Sequence, residues 1–260
     1  MMNKKKKPVL PFDVSKIDFS EPLMRLVLHP LISDQWLKII KKYFRLSVEG
    51  IENIPKKGPV IIAPNHSGFA GLDAMILNHE IFNQTSRIPR VMTHSFWFLS
   101  PTTAIPAQKL GFTEATFENG VQLLKKNSAI ILFPEGEYGN FKPSLKKYQL
   151  QEFKRGFIRM ALTAQAPIVP TLVIGAEETH FNMARFKIPA LIKNLILPLP
   201  LNLIPLPAKW KIIFLSPIHL PYLPDAANDS ELVHEISTDI KEKMQIALNN
   251  ELLKRKHIYL

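Results

Sequence analysis

Residues 58–73, GPVIIAPNHSGFAGLD, decide how this chain is read. Val60 to Pro64 form an apolar run with no polar break, the pattern of a short strand buried on both faces. The chain then turns polar and glycine-bearing through Asn65, His66, Ser67, Gly68 and Gly71. Loops that leave the end of a buried strand are where α/β proteins carry their sites. Within this loop Asp73 lies seven positions after His66, and two glycines between them allow the chain to fold back. Such a fold-back lets the carboxylate accept the Nδ1 hydrogen of the imidazole. That contact fixes the tautomer and leaves Nε2 free to take a proton from a hydroxyl.

Outward from this stretch, apolar strands and amphipathic helices alternate. Residues 73–83 read as a helix and RVMTHSFWF (90–98) as a second strand. TFENGVQLLKKN (116–127) reads as a helix capped by Thr116, leading into the strand SAIILF (128–133) and the turn PEGEYG. EFKRGFIRMALTAQ (152–165) is a further helix, and PIVPTLVIG (167–175) and KWKIIFLS (209–216) are further strands. The alternation predicts an α/β fold: a single domain with a mixed, largely parallel sheet flanked by helices on both faces.

Three segments follow from this reading: a basic tail and amphipathic helical segment over 1–48, an α/β core over 49–225, and a C-terminal amphipathic helix over 226–260 packed on the core. In the first, Pro30 divides residues 21–46, and 34–46 forms a basic amphipathic helix suited to a membrane interface or to packing on the core. In the last, Leu232, Ile236, Ile240, Met244, Leu248 and Leu252 recur at helical spacing. The most apolar stretch, KIPALIKNLILPLPLNLIPL (187–206), carries Lys193, two asparagines and several prolines, so it is read as a non-spanning loop that covers the core or faces lipid.

Composition narrows the chemistry. Lys+Arg number 33 against 22 Asp+Glu, a net charge of +11 that favours anionic lipid, the phosphates of a nucleotide-bearing substrate or an acidic carrier protein. Nucleic-acid binding rests on charge alone, because no helix-turn-helix, zinc-ligand or RNA-binding strand pattern accompanies it. The chain has no cysteine, which excludes thiolate nucleophiles and cysteine-ligated metals. No GxSxG elbow marks a serine hydrolase. The N-terminal MMNKKKKPVLPFDVSK has a basic run without a continuous apolar stretch after it, so no signal peptide is expected and a cytoplasmic location follows.

A second candidate site follows the strand at 128–133: Phe133, Pro134, Glu135, Gly136, Glu137, Tyr138 and Gly139. Taken with NHSGFAGLD, LGFTEATFENGVQLL, FKRGFIRMAL and APIVPTLVIGAEET, in that order and spacing, AIILFPEGEYG resembles the glycerolipid acyltransferase family that includes bacterial lysophosphatidic acid acyltransferases. The resemblance covers about residues 50–220. It implies transfer of a fatty acyl group from acyl-CoA or an acyl-carrier protein to a glycerolipid or lysolipid hydroxyl, with no cofactor and no metal, by a peripheral enzyme on the inner membrane face. His66 would be the general base and Asp73 its orienting partner. Asn65, Ser67, Gly68, Phe133 and Pro134 would contact substrate, Glu135 and Gly136 would help build the acceptor pocket, and Pro170 would shape the acyl-donor side.

The departures from the family are specific. Most members separate the histidine and aspartate by four residues, and here six intervene. The family's FPEG commonly continues Thr-Arg-Ser; this chain continues Glu137-Tyr138-Gly139. Neither position where relatives place an acceptor-phosphate arginine is basic, which leaves Lys142, Lys154 and Arg155 as the candidates. The alternative is a non-catalytic lipid- or membrane-binding protein that retains the fold. The oligomeric state is left open.

Overall fold

The computed structural model describes residues 34–67, 71–98, 100–109, 111–188 and 195–259. The expectations for residues 1–33 and for Gly68 lie outside the described residues.

The strands are β1 (Ser47–Glu49), β2 (Val60–Pro64), β3 (Arg90–Thr93), β4 (Phe112–Glu114), β5 (Ala129–Ile131), β6 (Ile168–Ile174), β7 (Asn182–Ile188), β8 (Leu195–Pro200) and β9 (Lys211–Phe214). The helices are α1 (Asp34–Tyr43), α2 (Leu72–Thr85), α3 (Pro101–Lys109), α4 (Phe117–Lys125), the single turn α5 (Glu137–Asn140), α6 (Gly156–Ala164) and α7 (Ser230–Leu253). Seven strands form one sheet in the order β1-β9-β6-β2-β5-β3-β4. All neighbours are parallel except β6 and β9. This is the mixed, largely parallel sheet that the alternation predicts.

Because side chains alternate across a strand, β2 feeds two cores. Val60 and Ile62 pack with Ile76, Leu77 and Ile81 of α2, whereas Ile61 and Ala63 pack with Leu124 of α4, Phe157 of α6 and Ile240 of α7. Helices therefore cover both faces, and the buried isoleucines contribute about 1.5–3 kcal/mol each relative to exposure. α4 is capped as its sequence indicates: the Thr116 side chain accepts from Asn119 N–H at 3.2 Å. At the end of α1, Phe44 is buried and stacks on Trp210 with ring centroids 4.7 Å apart. That end packs on the core, while Lys38, Ile39 and Lys42 face outward.

Two segments differ from expectation. The strand expected over 90–98 stops at Thr93, and Ser95–Phe98 form a 3-10 turn. Its neighbour β4 is only three residues long and their pairing ends at Thr93 and Glu114, so further extension would leave backbone groups without a ladder. Residues 187–206 are not simply a loop. Their described part supplies the end of β7 and all of β8, which pair as an antiparallel ribbon apart from the main sheet. Pro198 and Pro200 are tolerated because Leu199 and Leu201, the alternate residues, donate the inward N–H groups, to Asn182 Oδ1 and Phe181 O. Among the described residues no helix is long and apolar enough to cross a membrane.

Candidate active site

The site forms where β2 and β5 end side by side. Asn65, fully buried, donates from Nδ2 to Val173 O and accepts Val173 N–H on Oδ1, at 3.0 and 2.7 Å. Its amide is consumed in bracing the loop against β6, so it positions the next residue and does not face a substrate. His66 follows directly. Its Nδ1 lies 2.7 Å from Asp73 Oδ2, and only 14% of its side-chain surface is exposed.

Asp73 sits in the first turn of α2, fully buried. Its Oδ2 also accepts Ser67 N–H at 3.1 Å, and Oδ1 accepts Ala74 N–H at 2.8 Å. These two backbone donors, the second at the helix N-terminus, fix the orientation of the carboxylate. The carboxylate holds the hydrogen on Nδ1, so Nε2 presents its lone pair. The longer His–Asp spacing thus still closes the contact that a general base requires.

The FPEG turn is fastened to this loop through Glu135. Its buried carboxylate accepts His66 N–H at 3.0 Å on Oε1, and Gln151 N–H at 2.6 Å on Oε2. Phe133 stacks on the imidazole with centroids 3.9 Å apart, which fixes the ring plane. Glycine is needed nearby for a reason other than ligand approach. A Cβ on Gly139 would fall 2.4 Å from Glu135 Cβ, and one on Gly136, at φ +56°, would fall 2.8 Å from Lys154 Nζ. Both glycines make room for protein side chains. Pro134 accepts Lys154 N–H on its carbonyl at 2.8 Å, tying the turn to the approach to α6.

The candidate basic residues have separate fates. Lys142 is buried and spends its three ammonium hydrogens on Glu135 Oε2 at 3.3 Å, Gln149 O at 3.3 Å and Glu177 Oε1 at 3.1 Å. Its pKa is raised: burial opposes the charge, but the two carboxylates outweigh that. Lys154 pairs with Glu137 at 2.7 Å, and Arg155 is exposed at the start of α6. Pro170 is buried in the middle of β6, paired in register with Ala63, and belongs to the sheet.

Sequence reasoning missed Glu177. It follows β6, takes Tyr148 N–H on Oε2 at 2.8 Å, and is pushed up to about 7 by burial, with Glu135 adding repulsion against the attraction of Lys142. Its presence in the GAEET segment was visible, but no spacing rule links it to Glu135. Among the described residues no group of three or more histidines and carboxylates is arranged to hold a metal.

Fold and site together define an α/β protein with a histidine–carboxylate pair at one strand end, braced by the glycine-bearing turn at the next. Residues 45–174 match the model of the family described as Acyltransferase. An uncharacterized protein of Mycobacterium tuberculosis is 31% identical over 95% of this chain and 72% of its own length. A probable 1-acyl-sn-glycerol-3-phosphate acyltransferase of Mycoplasma pneumoniae is 29% identical over 48% of this chain and 47% of its own. The crystal structure of the 1-acyl-sn-glycerophosphate acyltransferase PlsC of Thermotoga maritima shares the fold, with a TM-score of 0.54 at 16% identity over 89% of this chain and 88% of that one. The chain belongs to the acyltransferase family.

Proposed function

We propose that this protein moves a fatty acyl group from a thioester, acyl-CoA or acyl-carrier protein, to a lipid hydroxyl, with His66 as general base and Asp73 as its positioning partner. The acceptor O–H gives its proton to His66 Nε2 while its oxygen attacks the thioester carbonyl. Collapse of the tetrahedral intermediate breaks the C–S bond, and the imidazolium returns the proton to the departing thiolate. Asp73 stabilises the imidazolium between the two transfers. The observation that carries this reading is the 2.7 Å His66–Asp73 contact, with the other carboxylate oxygen held by the helix N-terminus. His66→Ala should lower thiol release with a lipid acceptor by ~10²-fold or more. Equal rates for the two proteins would remove His66 from the mechanism.

The reaction takes place at a membrane surface on the inner face. Support comes from the ribbon, where Met183, Leu199 and Leu201 are 59%, 48% and 68% exposed, with Leu203 and Ile204 more so. The turn that carries exposed Lys146 and Lys147 is tied to it by Asn182 N–H donating to Ser144 Oγ at 2.8 Å. An apolar surface beside basic side chains suits an anionic bilayer. Leu199→Asp with Leu201→Asp should weaken co-sedimentation with anionic vesicles by ~10-fold or more at unchanged circular dichroism, given the apolar area withdrawn. Undiminished sedimentation would assign the membrane contact elsewhere.

A further inference from the structure

A small pocket of about 40 Å³ adjoins the His66 loop through Ser67. Its polar lining includes Ser67, Asn140, Lys142, Ser144, Glu177, Asn182 and His180, whose Nδ1 lies 3.0 Å from Thr179 Oγ1 and whose pKa burial lowers. Most of these groups are already committed. Lys142 has used all three of its hydrogens. Ser144 Oγ accepts from Asn182 N–H and lies 3.4 Å from His180 O. Asn182 donates to Phe141 O and Lys142 O and accepts Leu199 N–H. Two side-chain oxygens are left over: Ser67 Oγ and Asn140 Oδ1 are buried with no hydrogen-bond partner. Ser67 is only 5% exposed, and a buried hydroxyl without a partner costs about 1–3 kcal/mol. Such a group is met by ordered water or by a polar group that arrives with the substrate and displaces it.

We propose that this pocket is the seat of an uncharged hydroxyl group of the acceptor, beside the hydroxyl that is acylated, and that it discriminates against a phosphate at that place. The inference rests on the acyl-transfer reading of His66. An alcohol O–H both accepts and donates, so its oxygen takes the Ser67 hydrogen and its own hydrogen goes to Asn140 Oδ1. A phosphate oxygen at neutral pH accepts only, and here it would meet Asn140 Oδ1 and the Glu177 carboxyl with no uncommitted ammonium hydrogen on Lys142 to receive it. The lysine that lines the pocket, Lys142, is already matched by Glu177 at its edge and by Glu135 behind it. As cavity volume a single water needs ~10–15 Å³, so the pocket has room for a small polar group such as a hydroxymethyl. A monoacylglycerol presents this arrangement, and its 3-phosphate does not.

The experiment compares three acceptors with the full chain: a monoacylglycerol, the same lipid as its 3-phosphate, and a long-chain alcohol with a single hydroxyl. Wild type should favour the monoacylglycerol over the phosphate in kcat/KM by ~10-fold or more, the scale on which a site that hydrogen-bonds a hydroxyl rejects a substrate that cannot match it. Ser67→Ala should lower the preference for monoacylglycerol over the single-hydroxyl alcohol by ~10-fold, since only the former fills the seat. The Ser67 backbone N–H to Asp73 survives this substitution, so a loss shared equally by all acceptors would indicate damage to the His–Asp pair and overturn the subsite. Equal or better use of the phosphate would also overturn it. Binding of the monoacylglycerol and its phosphate to His66→Ala, measured by equilibrium dialysis in neutral detergent micelles, separates the two readings. Selective binding without turnover of any acceptor by wild type would sink the acyl-transfer reading alone, and turnover without selectivity would sink the subsite alone.

Discussion

Glu80 on α2 and Glu177 after β6 are both buried carboxylates in contact with a lysine, and their proton affinities move in opposite directions. Glu80 has Lys41 largely to itself, 2.6 Å away, and takes a further hydrogen bond from Gln84 at 2.9 Å. Burial raises its pKa, but His79, Lys41 and Gln84 outweigh that and hold it at about 2. Glu177 shares Lys142 with Glu135, and burial with that neighbouring charge lifts it to about 7. The difference lies in the count of charges: one cation per anion joins α1 to α2, and one cation for two anions joins the FPEG turn to β6. The first arrangement is structural glue. The second leaves an acidic wall beside the His66 loop, and its energetic cost is tolerated where the site benefits.

Removing the shared cation is the most severe way to break this comparison. Lys142→Met leaves Glu135 and Glu177 buried with no counter-charge, and loss of one partner from a buried ionic cluster costs ~3–5 kcal/mol. Chemical denaturation at pH 8 should show a loss of that size. At pH 5 the loss should shrink, since Glu177 can take up a proton. Adding Glu177→Gln to Lys142→Met should restore part of the stability at pH 8. A Lys142→Met protein as stable as wild type at both pH values would mean that the cluster carries no net energy, and the acidic wall would lose its physical basis.

The same contrast separates what the sequence discloses from what it hides. β2, β5, β6 and β9 announce themselves as apolar runs, and Thr116 marks the start of α4 by its residue type alone. β1 and β4 are three residues each and, unlike the equally short but fully buried β5, are only partly buried, so no apolar run marks them; they exist because a neighbouring strand pairs with them. The ribbon is concealed by Pro198 and Pro200, whose compatibility with a strand depends on which way each N–H points. In the site, His66 and Asp73 are legible because a few residues of local sequence contain both partners. Asn65, Lys142 and Glu135 are visible as residues but not as roles. Their partners, Val173, Glu177 and Gln151, are 16 to 108 positions away, and no local pattern encodes which polar groups will be spent on the protein itself.

A gentler change sharpens the comparison through the sign of the pH dependence. Glu80 has a folded pKa below its unfolded value of 4.5, so the stability it supplies is present above that value and is lost as pH falls toward about 2. Glu177 has a folded pKa above 4.5, so the folded state holds its proton longer than the unfolded state does, and stability declines as pH rises from 4.5 to about 7. Either window corresponds to about 3 kcal/mol, because a tenfold difference in proton affinity between folded and unfolded chains is worth about 1.4 kcal/mol. Guanidinium unfolding of wild type, Glu80→Gln and Glu177→Gln at pH 3, 4.5 and 7 isolates each contribution as a difference between proteins. Glu80→Gln should flatten the rise between pH 3 and 4.5 while leaving the span from 4.5 to 7 alone. Glu177→Gln should remove a decline between 4.5 and 7 and come out neutral or more stable at pH 7, because Lys142 and Glu135 remain as a balanced pair. If Glu177→Gln is instead less stable at pH 7 by as much as Glu80→Gln is, the carboxyl at 177 acts as an ordinary ion-pair partner, and the surplus of negative charge beside His66 does not exist.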